Sequence, residues 1–365
     1  MKKLSTVVSL CAFAFCATTI AAQAALSPVM TSHVPSPIAS HSVTMVNPLP
    51  AEQQMSIAIS LPLRNEADLR NLIDQIYDPQ SPNFHKYLSV SDFVSKYGPT
   101  KADYDAVVAF AKANGLNVVE TSANQMVVDV EGPASAVQKT FHVTLGLYRH
   151  PTENRMFFAP DREPTVDLAV PLLHVSGLDN YTLSHPKIVK GGAITNKGGS
   201  APGGQFAGSD LRKAYYGTGS LKGAGQSVGL YEEAGYDMTD VKAYFKTLGQ
   251  ALNVPVHGVS LNHVSLNCSG SCDDSEQVLD IETAISMAPA LDQVIVYVGS
   301  SDVSIFNRMA SDNKCKQVSV SWGWSDDESS VDPIFEEMAV QGQTVFVATG
   351  DGGSATPAST VWEKF

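Results

Sequence analysis

The sequence predicts an α+β unit over residues 51–185, followed by an α/β unit with a parallel sheet over residues 209–365. Three observations carry that assignment. The first stretch mixes helical and strand periods around short turns. The second repeats strand and helix in alternation, the pattern of a parallel sheet covered by its crossovers. Between them, residues 186–208 contain Pro-Lys-Ile-Val-Lys-Gly-Gly and then Thr-Asn-Lys-Gly-Gly-Ser-Ala-Pro-Gly-Gly, a composition that suits an exposed linker open to proteases.

Residues 1–24 precede both units. A cationic start (Lys2, Lys3), an apolar run through Ile20 and the triplet Ala22-Gln23-Ala24 read as an export signal with a small-residue cleavage site. The product is therefore expected to be secreted, either extracellular or periplasmic. No later run approaches the roughly eighteen apolar residues of a membrane span. Val8-Ser9-Leu10-Cys11 has a bulky residue where a lipid-attachment box needs a small one. Residues 25–50 are polar and expected to be poorly ordered.

In the first unit, residues 55–63 read as a strand and 67–77 as a helix. Residues 101–114 form a second helix with Tyr104, Val107, Val108 and Ala111 on one face. Strands over 116–121 and 125–130 flank the turn Ser122-Ala123-Asn124. A helix over 133–140 opens on proline, and a strand follows over 143–150. In the second unit, strands are expected over 227–231, 255–261, 293–298, 317–321 and 344–348. The intervening helices are expected over 239–248, 274–287, 303–311 and 332–341. The strands are apolar runs, as strands covered on both faces should be. Thr239 is the expected cap of a helix burying Val241, Tyr244, Phe245 and Leu248.

Removing Lys2 and Lys3 with the signal leaves 22 basic against 37 acidic residues, a formal charge of -15. That balance disfavours nucleic acid or an anionic membrane as partner. Cys268, Cys272 and Cys315 are too few for a disulfide framework and lack the spacing of a zinc site. A local Cys268–Cys272 bridge is expected after export, with Cys315 inside.

The most informative segment is Ser-Glu-Gln-Val-Leu-Asp-Ile-Glu at residues 275–282. Glu276 and Asp280 fall one turn apart on the same helix face, where like charges cost roughly 0.2–0.5 kcal/mol. One reading is a solvated acidic helix start that complements the helix dipole. The other is a pair of carboxylates kept for chemistry.

Other motifs favour the second reading. Asp78-Pro79-Gln80-Ser81-Pro82-Asn83-Phe84-His85-Lys86-Tyr87-Leu88, then Phe93 and Tyr97-Gly98-Pro99-Thr100, resemble the signature of a pro-kumamolisin activation domain. Gly225 to Glu232, Gly235-Tyr236-Asp237, Val318-Ser319-Val320-Ser321-Trp322-Gly323 and Ala348-Thr349-Gly350-Asp351-Gly352-Gly353 resemble the sedolisins, secreted serine-carboxyl peptidases with a subtilisin-like fold. The resemblance covers nearly everything from about residue 50 onward. It implies that Glu276 is a general base, that Asp280 orients it and that Asp351 serves the oxyanion hole. Ser319, Ser321, Trp322 and Gly323 would line the substrate cleft. Proteins or peptides would be the substrates, and the chain's own activation domain a partner.

Carboxylates can stand where other serine peptidases use histidine because a base works best near the operating pH. At about pH 4 histidine is protonated and cannot accept a proton. A neutral Asp351 could donate a hydrogen bond to a developing oxyanion. His257 and His263, the histidines of the second unit, lack the setting of a His-based triad.

The resemblance also implies a nucleophile in a Ser-Gly-Thr-Ser stretch after the Gly-Asp turn, and no such stretch occurs before Phe365. Ser269-Gly270-Ser271 stands before the Glu/Asp helix, in the wrong order. The catalytic unit is therefore expected to be incomplete at its C-terminus, with no cofactor in this chain and the family's calcium site in the missing part. The main reading is an exported acid peptidase zymogen lacking its serine. The alternative is a non-catalytic homologue that inhibits or chaperones a related peptidase, or a non-functional remnant. Maturation is expected within residues 187–206.

Overall fold

The computed structural model describes residues 26–186, 198–217, 219–268, 272–323 and 328–351. Residues 1–24, expected to be an export signal, and much of the expected linker lie outside the described residues.

The first unit is built on an antiparallel sheet in the order Asn117–Thr121, Val127–Pro133, Gln54–Ser60, His174–Ser176. Period-two alternation puts Ile57, Ile59, Val128 and Val130 inside, where they meet Val107, Phe110 and Ala111 of the helix Lys101–Ala113 and Val137 and Phe141 of Ala134–Phe141. A second, three-stranded sheet pairs Asn47–Pro48, Leu145–Arg149 and Met156–Pro160. Residues 26–50, expected to be poorly ordered, are tied down instead. Ser27–Pro28 pairs with Thr165–Val166, and His33 and Ile38 are buried.

His33 stacks on His174 at 4.4 Å, its Nε2 accepting from the Val175 N–H. Burial, then the His33 charge, pushes His174 down to about 3.

The second unit is a five-stranded, wholly parallel sheet in the order Val256–Ser260, Gln293–Val298, Ser227–Glu232, Gln317–Val320, Thr344–Val347. Helices cover both faces, as an apolar parallel sheet requires. Met238–Thr247 and Ser275–Met287 lie on the Leu230 face, with Val241, Phe245, Ile281 and Ile285 buried there. Asp302–Asp312 and Asp332–Val340 lie on the Tyr231 face, with Phe306, Phe335 and Met338. The cap of Met238–Thr247 is Asp237 rather than Thr239. The Asp237 carboxylate accepts the Thr239 N–H at 2.7 Å, so the chain turns into helix two residues earlier than the threonine suggested. Cys268 and Cys272 form a disulfide, and Cys315 is buried.

The first unit docks on the helices of the Tyr231 face. Leu69, Ile76, Phe93 and Tyr97 share one apolar core with Phe306, Phe335 and Met338. The Asp78-to-Leu88 segment is part of this contact: the Leu88 N–H donates to Val340 O at 2.8 Å. The turn at Ser122-Ala123-Asn124 supplies the polar centre. Asn124 is fully buried and its Nδ2 donates to Asn307 Oδ1 (2.8 Å) and Glu337 Oε2 (2.7 Å). Asp129 accepts from Ser304 at 2.5 Å, and Arg70 pairs with Glu336 at 2.7 Å.

Glu337 is fully buried, and burial holds it up at about 8 against an ordinary 4.5, only partly offset by the Asn124 and Gln341 amides. A carboxyl raised on folding contributes stability present in full below its unfolded value and lost as pH rises through the folded one. Thermal melts should therefore show a loss on the order of 4 kcal/mol between about pH 5 and pH 9. Glu337→Gln should flatten that slope, and an equally steep slope in the variant would show that another group titrates.

Candidate active site

Strand alternation decides which residues meet at the carboxyl end of the sheet. Leu230 pairs with Ser319 and Tyr231 with Val320. Glu232 thus shares a face with Leu230, and Ser321 shares one with Ser319. That is the face on which Ser275–Met287 packs through Ile281 and Ile285. Its Glu276 and Asp280 are carried to the strand ends by the same packing, four residues apart and one turn from each other. Asp274 stands at the N-cap position without a side-chain cap bond, and its carboxylate instead accepts the Asp237 N–H at 2.8 Å, joining the two helices of this face.

The resulting cluster holds three carboxylates. Glu232 is fully buried and Glu276 is 6% exposed. The Ser321 hydroxyl donates to Asp280 Oδ1 at 2.9 Å, and Trp322 Nε1 donates to Glu232 Oε2 at 2.9 Å. The solvated helix start is therefore not what forms.

Burial drives the carboxyl of Glu232 well above its ordinary range, reinforced by the charge of Asp280 and opposed by the Trp322 donor. Burial likewise lifts Asp280 to about 6, against the pull of hydrogen bonds from Ser321 and Glu232. Each acid has one buried oxygen that no donor reaches, Glu232 Oε1 and Asp280 Oδ2. A proton held by Glu232 and donated to Asp280 satisfies both oxygens and removes one charge from the cluster.

Of the expected site residues, Glu276, Asp280, Ser321 and Trp322 come together here. Ser319 lies one pleat back on the same strand face. Gly323 pairs instead with an incoming segment: His185–Pro186 runs antiparallel to Trp322–Gly323, with His185 opposite Gly323 and Pro186 opposite Trp322. Asp351 is exposed in a turn beyond Thr344–Val347, at the same end of the sheet, after Gly350 at φ 92°. Gly352, Gly353 and the Ser269–Ser271 stretch lie outside the described residues.

Glu232 went unrecognised as a site residue. Its signal was present, since Ser-Val-Gly-Leu-Tyr-Glu ends an otherwise apolar central strand on a carboxylate that has no solvent to face. Among the described residues, no group of three His, Cys, Asp or Glu could hold a metal ion, and no helix is long and apolar enough to cross a membrane.

These features define the class: an α+β unit docked on a parallel α/β unit whose strand ends carry a cluster of carboxylates. Residues 41–181 match the family described as "Pro-kumamolisin, activation domain". Sedolisin of Pseudomonas sp. (strain 101) is 29% identical over 343 residues, covering 87% of this chain and 57% of that protein. Kumamolisin of Bacillus sp. (strain MN-32) is 26% identical over 327 residues, 84% of this chain and 58% of that one. Xanthomonalisin of Xanthomonas sp. (strain T-22) is 26% identical over 342 residues, 84% of this chain and 40% of its own length. A solved Pseudomonas sedolisin aligns with a TM-score of 0.35 and 25% identity over 43% of this chain and 47% of that one. The chain is similar to sedolisins over most of its length and matches a pro-kumamolisin activation domain over residues 41–181, and it spans between two fifths and three fifths of the length of these curated relatives.

Ser321→Ala should raise the Asp280 titration above about 6 by roughly one to two pH units, the worth of a hydrogen bond to a charged group. Carboxyl NMR titration measures it, and an unmoved Asp280 would show that Ser321 does not hold the charge.

Proposed function

We propose that this chain carries the activation domain and the base-supplying part of an exported serine-carboxyl peptidase that cleaves proteins at acid pH. The buried carboxylate cluster is the observation that carries the reading. Glu276 is the base that accepts the proton of an attacking serine hydroxyl, and Asp280, anchored by Ser321, orients it. Glu232 remains neutral and keeps the cluster from bearing three like charges. Asp351, in its protonated form, donates to the developing oxyanion. A peptide substrate lies against Trp322–Gly323 by backbone pairing, the mode that His185–Pro186 already adopts there. The activation domain thus occupies the substrate track until processing within residues 187–206 frees it. Residues 187–197 of that tract lie outside the described residues.

The test begins with the gene, read past codon 365 in all three frames. A Ser-Gly-Thr-Ser stretch is expected in one of them, and its absence from every frame would overturn the peptidase reading. The product with that continuation, acidified to about pH 4, should hydrolyse casein and react with a serine-acylating probe. Glu276→Gln should then lower kcat by about 10²–10⁴-fold, the usual worth of a general base.

A further inference from the structure

The segment seated on Trp322–Gly323 also shows what a neighbouring acid reads. From Leu183 to Pro186 the residues alternate exposed, half-buried, exposed, half-buried, the period of a strand with one face inward. Ser184 and Pro186 are the inward pair. Ser184 Oγ donates to Glu233 Oε2 at 2.7 Å, while the other carboxylate oxygen, Oε1, accepts from Tyr231 Oη at 2.7 Å. Tyr231 is completely buried in the core shared by the two units, so Glu233 is aimed by a fixed donor.

Beside this contact lies a cavity of about 420 Å³, lined by Thr182, Ser184, Glu233, Ser301, Asp302 and Asp179 among others. Its lining includes three carboxylates and neither lysine nor arginine. Glu233, Ser301 and Asp302 come from the sheet unit and stay when the activation domain leaves. Asp179 departs with it, as do His33, His174 and most of the cavity's lining. What stays presents Glu233 and Asp302 with no lysine or arginine among the lining residues, and so has the sign to receive a cationic side chain longer than serine.

We propose that Glu233 is a specificity-determining residue of an acidic subsite, which selects a lysine or arginine two residues before the peptide position now held by Pro186. The inference rests on the peptide-track reading of Trp322–Gly323 given above. In the zymogen, Ser184 is a short hydroxyl occupant that meets the acid without filling the cavity. The linker is then held less tightly than a cationic substrate would be, which favours its replacement once cut.

Hydrogen exchange of the His185 and Gly323 amides in the full chain at neutral pH tests the proposal with no need for activity. Ser184→Lys should protect these amides at least about tenfold more than Ser184→Glu, because opposite charge is favoured and like charge disfavoured across a contact. Glu233→Lys combined with Ser184→Glu should restore the protection that Ser184→Glu alone removes. This exchange of charge separates recognition from a folding defect. Equal protection in the Lys and Glu variants, or no recovery in the double variant, would overturn the assignment. If the unaltered chain shows no protection at His185 and Gly323, the peptide track itself is wrong, and the subsite falls with it.

Discussion

Three carboxylates gathered at the end of a parallel sheet, Glu232 and Glu276 buried and Asp280 half-buried, are the constraint on which the rest depends. Removing an ionised carboxylate from water is costly unless it is paired or protonated. The fold meets this with two donors, Ser321 to Asp280 and Trp322 to Glu232, and with a proton retained by Glu232. The helix Ser275–Met287 accepts the arrangement because its remaining inward residues, Ile281 and Ile285, pack on the strand face beneath. Apolar packing thus determines where the charges sit, and the charges determine their own protonation.

The central strand Ser227–Glu232 connects this site to the docking surface by alternation alone. Leu230 and Glu232 face the carboxylate helix, whereas Tyr231 faces the core shared with the activation domain. Glu233, the next residue, takes its orientation from Tyr231 and meets the segment arriving from that domain. Activation domain and carboxylate helix therefore occupy opposite faces of one sheet. His185–Pro186 brings the chain to the strand ends, where it pairs with Trp322–Gly323 next to the carboxylates. The docking surface uses the same device as the site, a buried acid kept neutral, in Glu337 beneath Asn124.

Most of the strands and helices were legible because each carries its own period. The parallel strands are apolar runs and the helices show a buried stripe, so residues 227–231, 293–298 and 332–341 fell within a residue of Ser227–Glu232, Gln293–Val298 and Asp332–Val340. The helix Val90–Lys96 was missed because it is short and buries only Phe93, although Ser89 and Asp92 form a capping box at its start. The strand His174–Ser176 was missed because pairing with the distant Gln54–Ser60 creates it, and Met156–Pro160, paired with the preceding Leu145–Arg149, because its short run Met-Phe-Phe-Ala-Pro shows no polar alternation. The acidic helix pair could be read in two ways from spacing, and only its burial decided between them.

By itself the sequence determined the two units, the alternation of the parallel sheet, the amphipathic faces and the presence of Glu276 and Asp280 on one helix face. These follow from periodicities that the chain carries locally. Only the tertiary structure decided that Glu232 joins them, that Ser321 and Trp322 are their donors, that Asn124 is the polar centre of docking, and that Ser184 rests on Glu233. Each of those contacts links residues between 41 and 213 positions apart. At such separations no local period carries information, and the packing of one face against another brings the partners within reach.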